Sequence, residues 1–394
     1  MGGKAIKKVK INRIDILIYQ QLKTYIVDKL SEHVYIDFFI DIPNKTDFGD
    51  LDVIYIYKNT QFDIKKIIIE LFNPPEIVSN GDVISIAFDK SLIDKSLIDE
   101  FNLTNTFFDV EYYQVDFIKC PNLDLIPMYK FYFSYGDFGT IIGRIVNHYA
   151  LKIGHQGLWI NLINPTINEY ERSIGILDSN ESSNDLTLND ITKSNIRINL
   201  SSDPRKILEY IGLDYDKWLI GFTNIESIFE FICQSPLFDC KIFDQLNHDH
   251  VNRTILRPFY NKFINYIIQF KQFKQTELKI KSNLTIYAKI GHNKQFEALK
   301  FFQKIDILID NINHIKLKKE RHDKFNGNLI INMIKEFDKF NNFTDNKIIG
   351  KLINDFKIHI LSIKLFTSFD CYLDINTIQN IKLDLYNFLS QYVL

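Results

Sequence analysis

The run Lys45-Thr-Asp-Phe-Gly-Asp-Leu-Asp-Val-Ile-Tyr-Ile-Tyr57 sets two carboxylates, Asp50 and Asp52, at the mouth of a β-branched and aromatic stretch. Side chains alternate across a strand, so both acids share one face while Leu51 and Val53 point the other way, into a core. Paired carboxylates are hard oxygen ligands suited to Mg2+, which keeps coordination positions for water and substrate phosphates. Downstream, Val110-Glu-Tyr-Tyr-Gln-Val-Asp-Phe-Ile118 is a second strand-like run with one acid, Asp116, between Val115 and Phe117. Three carboxylates converge if the two strands pair. The chain carries its own comparison, because a second Asp-x-Asp, Asp214 and Asp216 in Gly-Leu-Asp-Tyr-Asp-Lys-Trp218, follows a helix end and has no strand run beside it. A structural role is expected there.

The elements that must position these acids are legible from pattern. Ile14, Leu17, Ile18, Leu22, Tyr25 and Ile26 fall at helical spacing between Arg13 and Leu30, which predicts a helix covering one sheet face. His33 to Ile40 reads as a strand, joined through the Pro43-Asn44 loop to the strand that begins near Asp50. A helix around Asp63 to Phe72, stopped by Pro74-Pro75, and a strand from Val83 to Phe88 complete the expected head. The tandem Ser91-Leu-Ile-Asp-Lys95 and Ser96-Leu-Ile-Asp-Glu100 is too short for a structural repeat.

After Pro121 the pattern turns helical, with Phe138 to Val146 in a helix that Gly154 to Gly157 end before a strand from Leu158 to Ile163. Asp178 to Asp185 is polar and rich in turn formers, a candidate loop. Ser202-Asp203-Pro204 opens a helix that Gly212 closes, and Thr223-Asn-Ile-Glu226 reads as a capping box. From about Asn252 onward nearly every segment is helical apart from Leu284 to Ile290. The expected class is α+β: a mixed sheet with helices over residues 1–125, a central mixed region over 126–250, and a basic, mostly helical region over 251–394.

The 394 residues suit two or three domains, and 46% apolar content is ample for a sizeable core. Net charge is −2, yet residues 251–365 hold 22 Lys and Arg against 10 Asp and Glu, a balance of +12, leaving 25 against 39, or −14, for the remainder. That asymmetry suits a phosphate-facing surface opposite an acidic metal site. Arg253 and Arg257, interleaved with Phe259, Tyr260 and Phe263, offer base-stacking partners or core packing. Cys120, Cys233, Cys240 and Cys371 lack zinc or redox spacing, and reduced thiols are expected. No window approaches a membrane span and the N-terminus has no apolar leader, so a soluble, cytoplasmic protein is expected. His248 and His250 lie in polar, loop-like sequence and are not read as ligands. Zincin, dinucleotide, Walker and nucleophile-elbow motifs are missing, which removes support for those enzyme classes.

Gly49-Asp50-x-Asp52 followed by Val115-Asp116-Phe117 resembles the three-acid signature of the DNA polymerase beta-like nucleotidyltransferases, which include poly(A) polymerases and CCA-adding enzymes. The chain is also similar to uncharacterised nucleotidyltransferases of large DNA viruses and fungi. The resemblance implies that Asp50 and Asp52 bridge two Mg2+ or Mn2+ ions and that Asp116 completes the site and assists deprotonation of the acceptor hydroxyl. It implies a nucleoside triphosphate as donor, and the basic C-terminal part favours an RNA 3′ end as acceptor. The family places a Gly-Ser pair before the acids to grip the triphosphate, where this chain reads Ile40-Asp-Ile-Pro-Asn-Lys45. Lys45 is the candidate substitute as a point charge on the β and γ phosphates, with Gly2-Gly3-Lys4 a second candidate. Arg144, on the helix after the third acid, is a candidate substrate contact from the cleft. Phe325 to Ile330 and Ile348 to Ile353 distantly resemble the helical region of CCA-adding enzymes, where a glycine lets helices approach. The missing Gly-Ser also fits a rival reading, a non-catalytic binding or scaffold protein built on the same head. A transferase that modifies a protein is a third.

Overall fold

The computed structural model describes residues 5–58, 63–93, 111–161, 197–243, 257–274, 294–336, 346–364 and 366–391. By contact density the chain divides into two units, one formed by Met1–Asn161 with Asn199–Phe302 and the other by Leu162–Ile198 with Gln303–Leu394. The boundaries expected near 125 and 250 both fall inside the first unit. Asp94 to Val110, Asp178 to Asp185, His248, His250 and Leu284 to Ile290 lie outside the described residues, as do Gly2, Gly3 and Lys4.

The first unit opens with β1 (Ile14–Asp15) and α1 (Ile16–Leu30), whose N-cap Asp15 accepts from the N–H groups of Leu17 and Ile18. Its buried stripe is Tyr19, Leu22, Ile26 and Leu30. Leu17, expected on that stripe, is 74% exposed. At 100° per residue it stands roughly 160° round the helix from Tyr19, so the spacing that links Leu22 to Ile26 does not extend back to it.

Five strands follow as one sheet: β2 (Val34–Phe38), β4 (Leu51–Tyr57), β5 (Ile77–Asn80), β6 (Val83–Asp89) and β7 (Tyr112–Lys119), with the short β3 (Asp47–Phe48) pairing β1 outside it. The order across the sheet is β2-β4-β7-β6-β5. β2 runs antiparallel to β4 and β6 antiparallel to both β7 and β5, while β4 and β7 are parallel. The hairpin-like entry and the three longer strands match the expectation. β5 carries only four residues, too few to show alternation.

Alternation divides the sheet into two faces. Leu51, Val53, Tyr55, Tyr113, Val115 and Phe117 join one core cluster with α1 and with α2 (Ile64–Phe72), the latter capped by Asp63. On the opposite face Ile54 and Ile56 pack with Cys120 and Tyr129. Tyr129 belongs to α3 (Ile126–Phe133), which lies over the far end of the acid-bearing face. Phe133, the last residue of α3, lines a cleft together with Asp52.

α4 (Phe138–His148) follows as expected, but the chain then makes β8 (Leu151–Gly154) before β9 (Gly157–Asn161), a hairpin with a two-residue loop where only the second strand was expected. β10 (Arg197–Ser201) completes that three-stranded sheet. α5 (Pro204–Tyr210) starts at Asp203 with Pro204 at its first position, and α6 (Tyr215–Ile220) starts at Asp214. The capping box of α7 (Ile225–Cys233) is Asn224 with Ser227, one residue later than the Thr223 and Glu226 expected. Asn is the stronger cap, and its carbonyl takes the Ser227 N–H at 2.8 Å. α8 (Pro258–Lys274) follows, and residues 294–301 form a further helical stretch of this unit.

The second unit, described by itself, is helical: α9 (Ile305–Lys324), α10 (Gly327–Glu336), α11 (Asn346–Lys364), α12 (Phe369–Ile375) and α13 (Ile378–Gln391). Its core gathers Ile334, Leu352, Phe356, Ile360, Tyr372 and Leu385 among others. Gly327 and Gly350 do not serve close helix packing, because a methyl group added at either would meet nothing within 4 Å. Among the described residues no helix is long and apolar enough to cross a membrane.

Candidate functional site

The parallel pairing of β4 with β7 sets Asp52 directly beside Asp116. Asp50, two residues before Asp52 at the bend that leads into β4, shares its face. One ligand oxygen from each of Asp50, Asp52 and Asp116 lies within 4.8 Å of the others. Among the described residues this is the group of His, Cys, Asp or Glu side chains placed to hold a metal ion. Gly49 occupies the bend between β3 and β4, and Phe48 just before it is anchored by pairing with Ile14.

Burial is the first cause of the unusual electrostatics here. It pushes the Asp52 carboxyl well above the ordinary carboxylate range, helped by repulsion from Asp50 and Asp116 and opposed by Lys45. Burial likewise raises Asp116, to about 6, with the Ser85 hydroxyl pulling it down, Asp50 pushing it up and the Gln114 amide pulling it down. The Tyr19 phenol is raised by burial and then by Asp41, Asp52 and Asp50. Two buried carboxyls, Asp52 and Asp116, thus resist ionisation beside Asp50, and a cation among the three would remove that penalty. Hard oxygen donors, close spacing and this electrostatic strain fit a divalent cation of the Mg2+ or Mn2+ type.

Asp116 is held from two sides. Gln114, on the same face of β7 and 1% exposed, donates from Nε2 to both carboxylate oxygens at 2.9 and 3.0 Å. Ser85, buried on β6, is the cross-strand neighbour of Asp116 and hydrogen-bonds its side chain. Neither partner was singled out in the sequence. Gln114 had a signal, since a polar residue two places before an acid in an apolar run shares its face, whereas Ser85 needed the β6–β7 register.

A cleft opens beside Asp52, with Tyr19, Asp41, Lys45, Phe133 and Gly136 in its wall. Lys45 and Asp52 line the same cleft. Its ammonium lies 4.4 Å from the centre of the Phe48 ring, which stacks on Tyr19 at 3.7 Å. Asp41 accepts from the Tyr19 hydroxyl at 3.1 Å and from Lys23 at 3.0 Å, so this second acid in the cleft wall is already paired. On the opposite wall the turn between α3 and α4 comes close to the 39–45 loop. Gly136 has φ +68°, a conformation that demands glycine, whereas a Cβ there would meet only the end of the Ile42 side chain, Cδ1 at 2.9 Å, which can shift.

At the start of the Ile40–Lys45 stretch the backbone is engaged internally. Ile40 N–H donates to Ser134 Oγ at 2.9 Å, and its carbonyl accepts from Tyr135 N–H at 2.7 Å. Arg144 is not in the cleft wall; its guanidinium donates to the Ile242 carbonyl at 3.2 Å and lies over the Phe243 ring. Arg257 pairs with Asp137 at 2.6 Å, and Phe259, Tyr260 and Phe263 are buried, which assigns those aromatics to packing. No protein-family model matches the chain, and no curated protein matches its sequence.

Proposed function

We propose that this chain is a two-metal nucleotidyltransferase that moves a nucleoside monophosphate from a nucleoside triphosphate to an acceptor hydroxyl, with an RNA 3′ end the favoured acceptor. The observation that carries the reading is the Asp52 to Asp116 register, which gathers three carboxylates on one face of the sheet. Asp50, Asp52 and Asp116 would hold Mg2+ or Mn2+, which when bound lowers the pKa of the attacking hydroxyl and neutralises charge on the leaving pyrophosphate.

The chain's own groups then have separable tasks. Asp50 and Asp52 fix the charge at the edge of β4, and Asp116, clamped by Gln114 and Ser85, is aimed at the same point and takes the acceptor's proton. Lys45 offers a positive charge to the β and γ phosphates from the cleft wall. The acceptor oxygen forms a bond to the α-phosphorus as the bond to the β-phosphate oxygen breaks in line, and pyrophosphate leaves. The excess of lysine and arginine over residues 251–365 supports a polyanionic acceptor.

One observation favours a second reading. The Ile40 backbone N–H and carbonyl are consumed by Ser134 and Tyr135, and no Gly-Ser pair is present to grip a triphosphate. That suits a binding or scaffold protein that keeps the head without its chemistry.

Incubating the protein with each α-labelled nucleoside triphosphate, Mg2+ or Mn2+ and total RNA, beside an Asp50→Ala/Asp52→Ala variant, separates the readings. Label entering RNA only with intact acids is the expected result. Label in protein would keep the transferase and change the acceptor, and no transfer with no metal-dependent triphosphate binding would leave the scaffold.

A further inference from the structure

We infer that Gln114 is a positioning residue for Asp116 and that the segment at residues 5–12 sets its orientation, making that segment a structural part of the metal site. The inference rests on the metal-site reading of Asp50, Asp52 and Asp116.

Gln114 bridges two groups with opposite needs. The Ala5 backbone N–H can only donate, and it donates to Gln114 Oε1 at 3.1 Å. An ionised carboxylate can only accept, and both Asp116 oxygens face Gln114 Nε2. A primary amide satisfies both at once, so the backbone donor at residue 5 fixes which end of the amide meets Asp116. With Gln114 almost fully buried, neither end has water as a ready substitute.

The donor is itself fastened. Lys7 and Lys8 N–H groups both donate to Glu76 Oε2, at 3.0 and 2.6 Å, and Glu76 is 8% exposed. Ile11 bridges Tyr112 in parallel, and Asn12 N–H donates to the Tyr112 carbonyl at 2.9 Å. The segment is thus stapled at Glu76, just before β5, and at the first residue of β7, with Ala5 delivered onto Gln114 two positions from Asp116. Chain and amide together hold a carboxylate that has one oxygen within 4.8 Å of those of Asp50 and Asp52, the way outer partners orient a metal ligand.

The test compares Mn2+ affinity by electron paramagnetic resonance in the wild type, Gln114→Met, Ala5→Pro and Ala5→Gly. Gln114→Met keeps the side-chain volume without the amide. Ala5→Pro deletes the single N–H donor far from any ligand, and Ala5→Gly retains it. A 10- to 100-fold weaker Mn2+ affinity is expected in Gln114→Met and Ala5→Pro, with Ala5→Gly near wild type and cooperative thermal melts in all four. Affinity within twofold of wild type in both Gln114→Met and Ala5→Pro would overturn the inference while leaving the metal site standing. A wild type that binds no Mn2+ would overturn the metal-site reading and this inference with it. If Ala5→Pro alone failed to melt cooperatively, the Gln114→Met affinity would decide.

Discussion

Asp50-Leu-Asp52 and Asp214-Tyr-Asp216 share a spacing and differ in everything that surrounds it. The first pair enters a strand, where residues two apart share a face, and a parallel neighbour adds Asp116 to that face. The second pair enters a helix, where Asp214 turns back to accept from the N–H groups of Asp216 and Lys217 at 2.8 and 3.2 Å. Asp216 instead faces Arg205, which meets both its oxygens at 3.0 and 2.7 Å. The electrostatics follow: burial drives Asp52 and Asp116 upward, and the Arg205 hydrogen bonds hold Asp216 below the usual carboxylate range. Asp214 and Asp216 cap and brace a helix, whereas Asp50 and Asp52 lie beside Asp116 in a cluster that could hold a cation. Backbone context, more than the acid spacing, separates a helix cap from a candidate metal site.

The largest expected effect breaks the comparison at its chemistry. Asp50→Ala or Asp52→Ala should lower nucleotidyl transfer by on the order of 10³-fold, since metal-held charge is worth several kcal/mol in such transition states, with the thermal melt retained. Asp214→Ala and Asp216→Ala should leave transfer near wild type. Equal losses at both pairs, measured with α-labelled triphosphate, would erase the distinction.

Next comes the platform beneath the first pair. Leu51 is fully buried between the two acids in sequence, and Leu51→Ala should cost about 2–5 kcal/mol in denaturant unfolding. Activity and stability should fall together there, unlike at Asp52. A Leu51→Ala protein with wild-type stability would mean that the β4 core face is misassigned.

A smaller effect has the opposite sign. Asp52 and Asp116 have carboxyls raised by burial, so the folded protein binds more protons than the unfolded chain. Stability without metal is therefore full below the unfolded carboxylate value near ~4 and falls as pH climbs through the folded values. Asp52→Asn should stabilise the metal-free protein at pH 8, by on the order of 1–2 kcal/mol, and change little at pH 4. Added Mn2+ should raise the wild-type melting temperature more at pH 8 than at pH 5. A destabilised Asp52→Asn at pH 8 would show that the acids are not crowded as described.

The smallest effect belongs to the cap. Asp214→Ala should cost about 1 kcal/mol by chemical denaturation and leave Mn2+ binding untouched. Asp216, held below the ordinary range, contributes stability that is present above its unfolded pKa and lost as pH falls.

The sequence was most readable where one periodicity ran long enough. β4 and β7 alternate over seven and eight residues, so their faces, and the convergence of Asp50, Asp52 and Asp116, followed from pattern once pairing was granted. Short elements were opaque: β5 and β8 have four residues each, and the cap of α7 shifted by one place because neighbouring Thr223 and Asn224 both make N-caps. Helical glycines misled, since Gly350 has open space where close packing was expected. The second layer of the site was hidden for another reason. Ser85 reaches Asp116 only across a strand register, and Ala5 reaches Gln114 over 109 residues, distances in sequence that local pattern does not span.

The most direct test of the central claim is a Mn2+ titration by electron paramagnetic resonance on the wild type, Asp52→Asn and Asp214→Asn. The account predicts saturable binding in the wild type and in Asp214→Asn, and its loss in Asp52→Asn. Binding that survives Asp52→Asn, or none in the wild type, would contradict it.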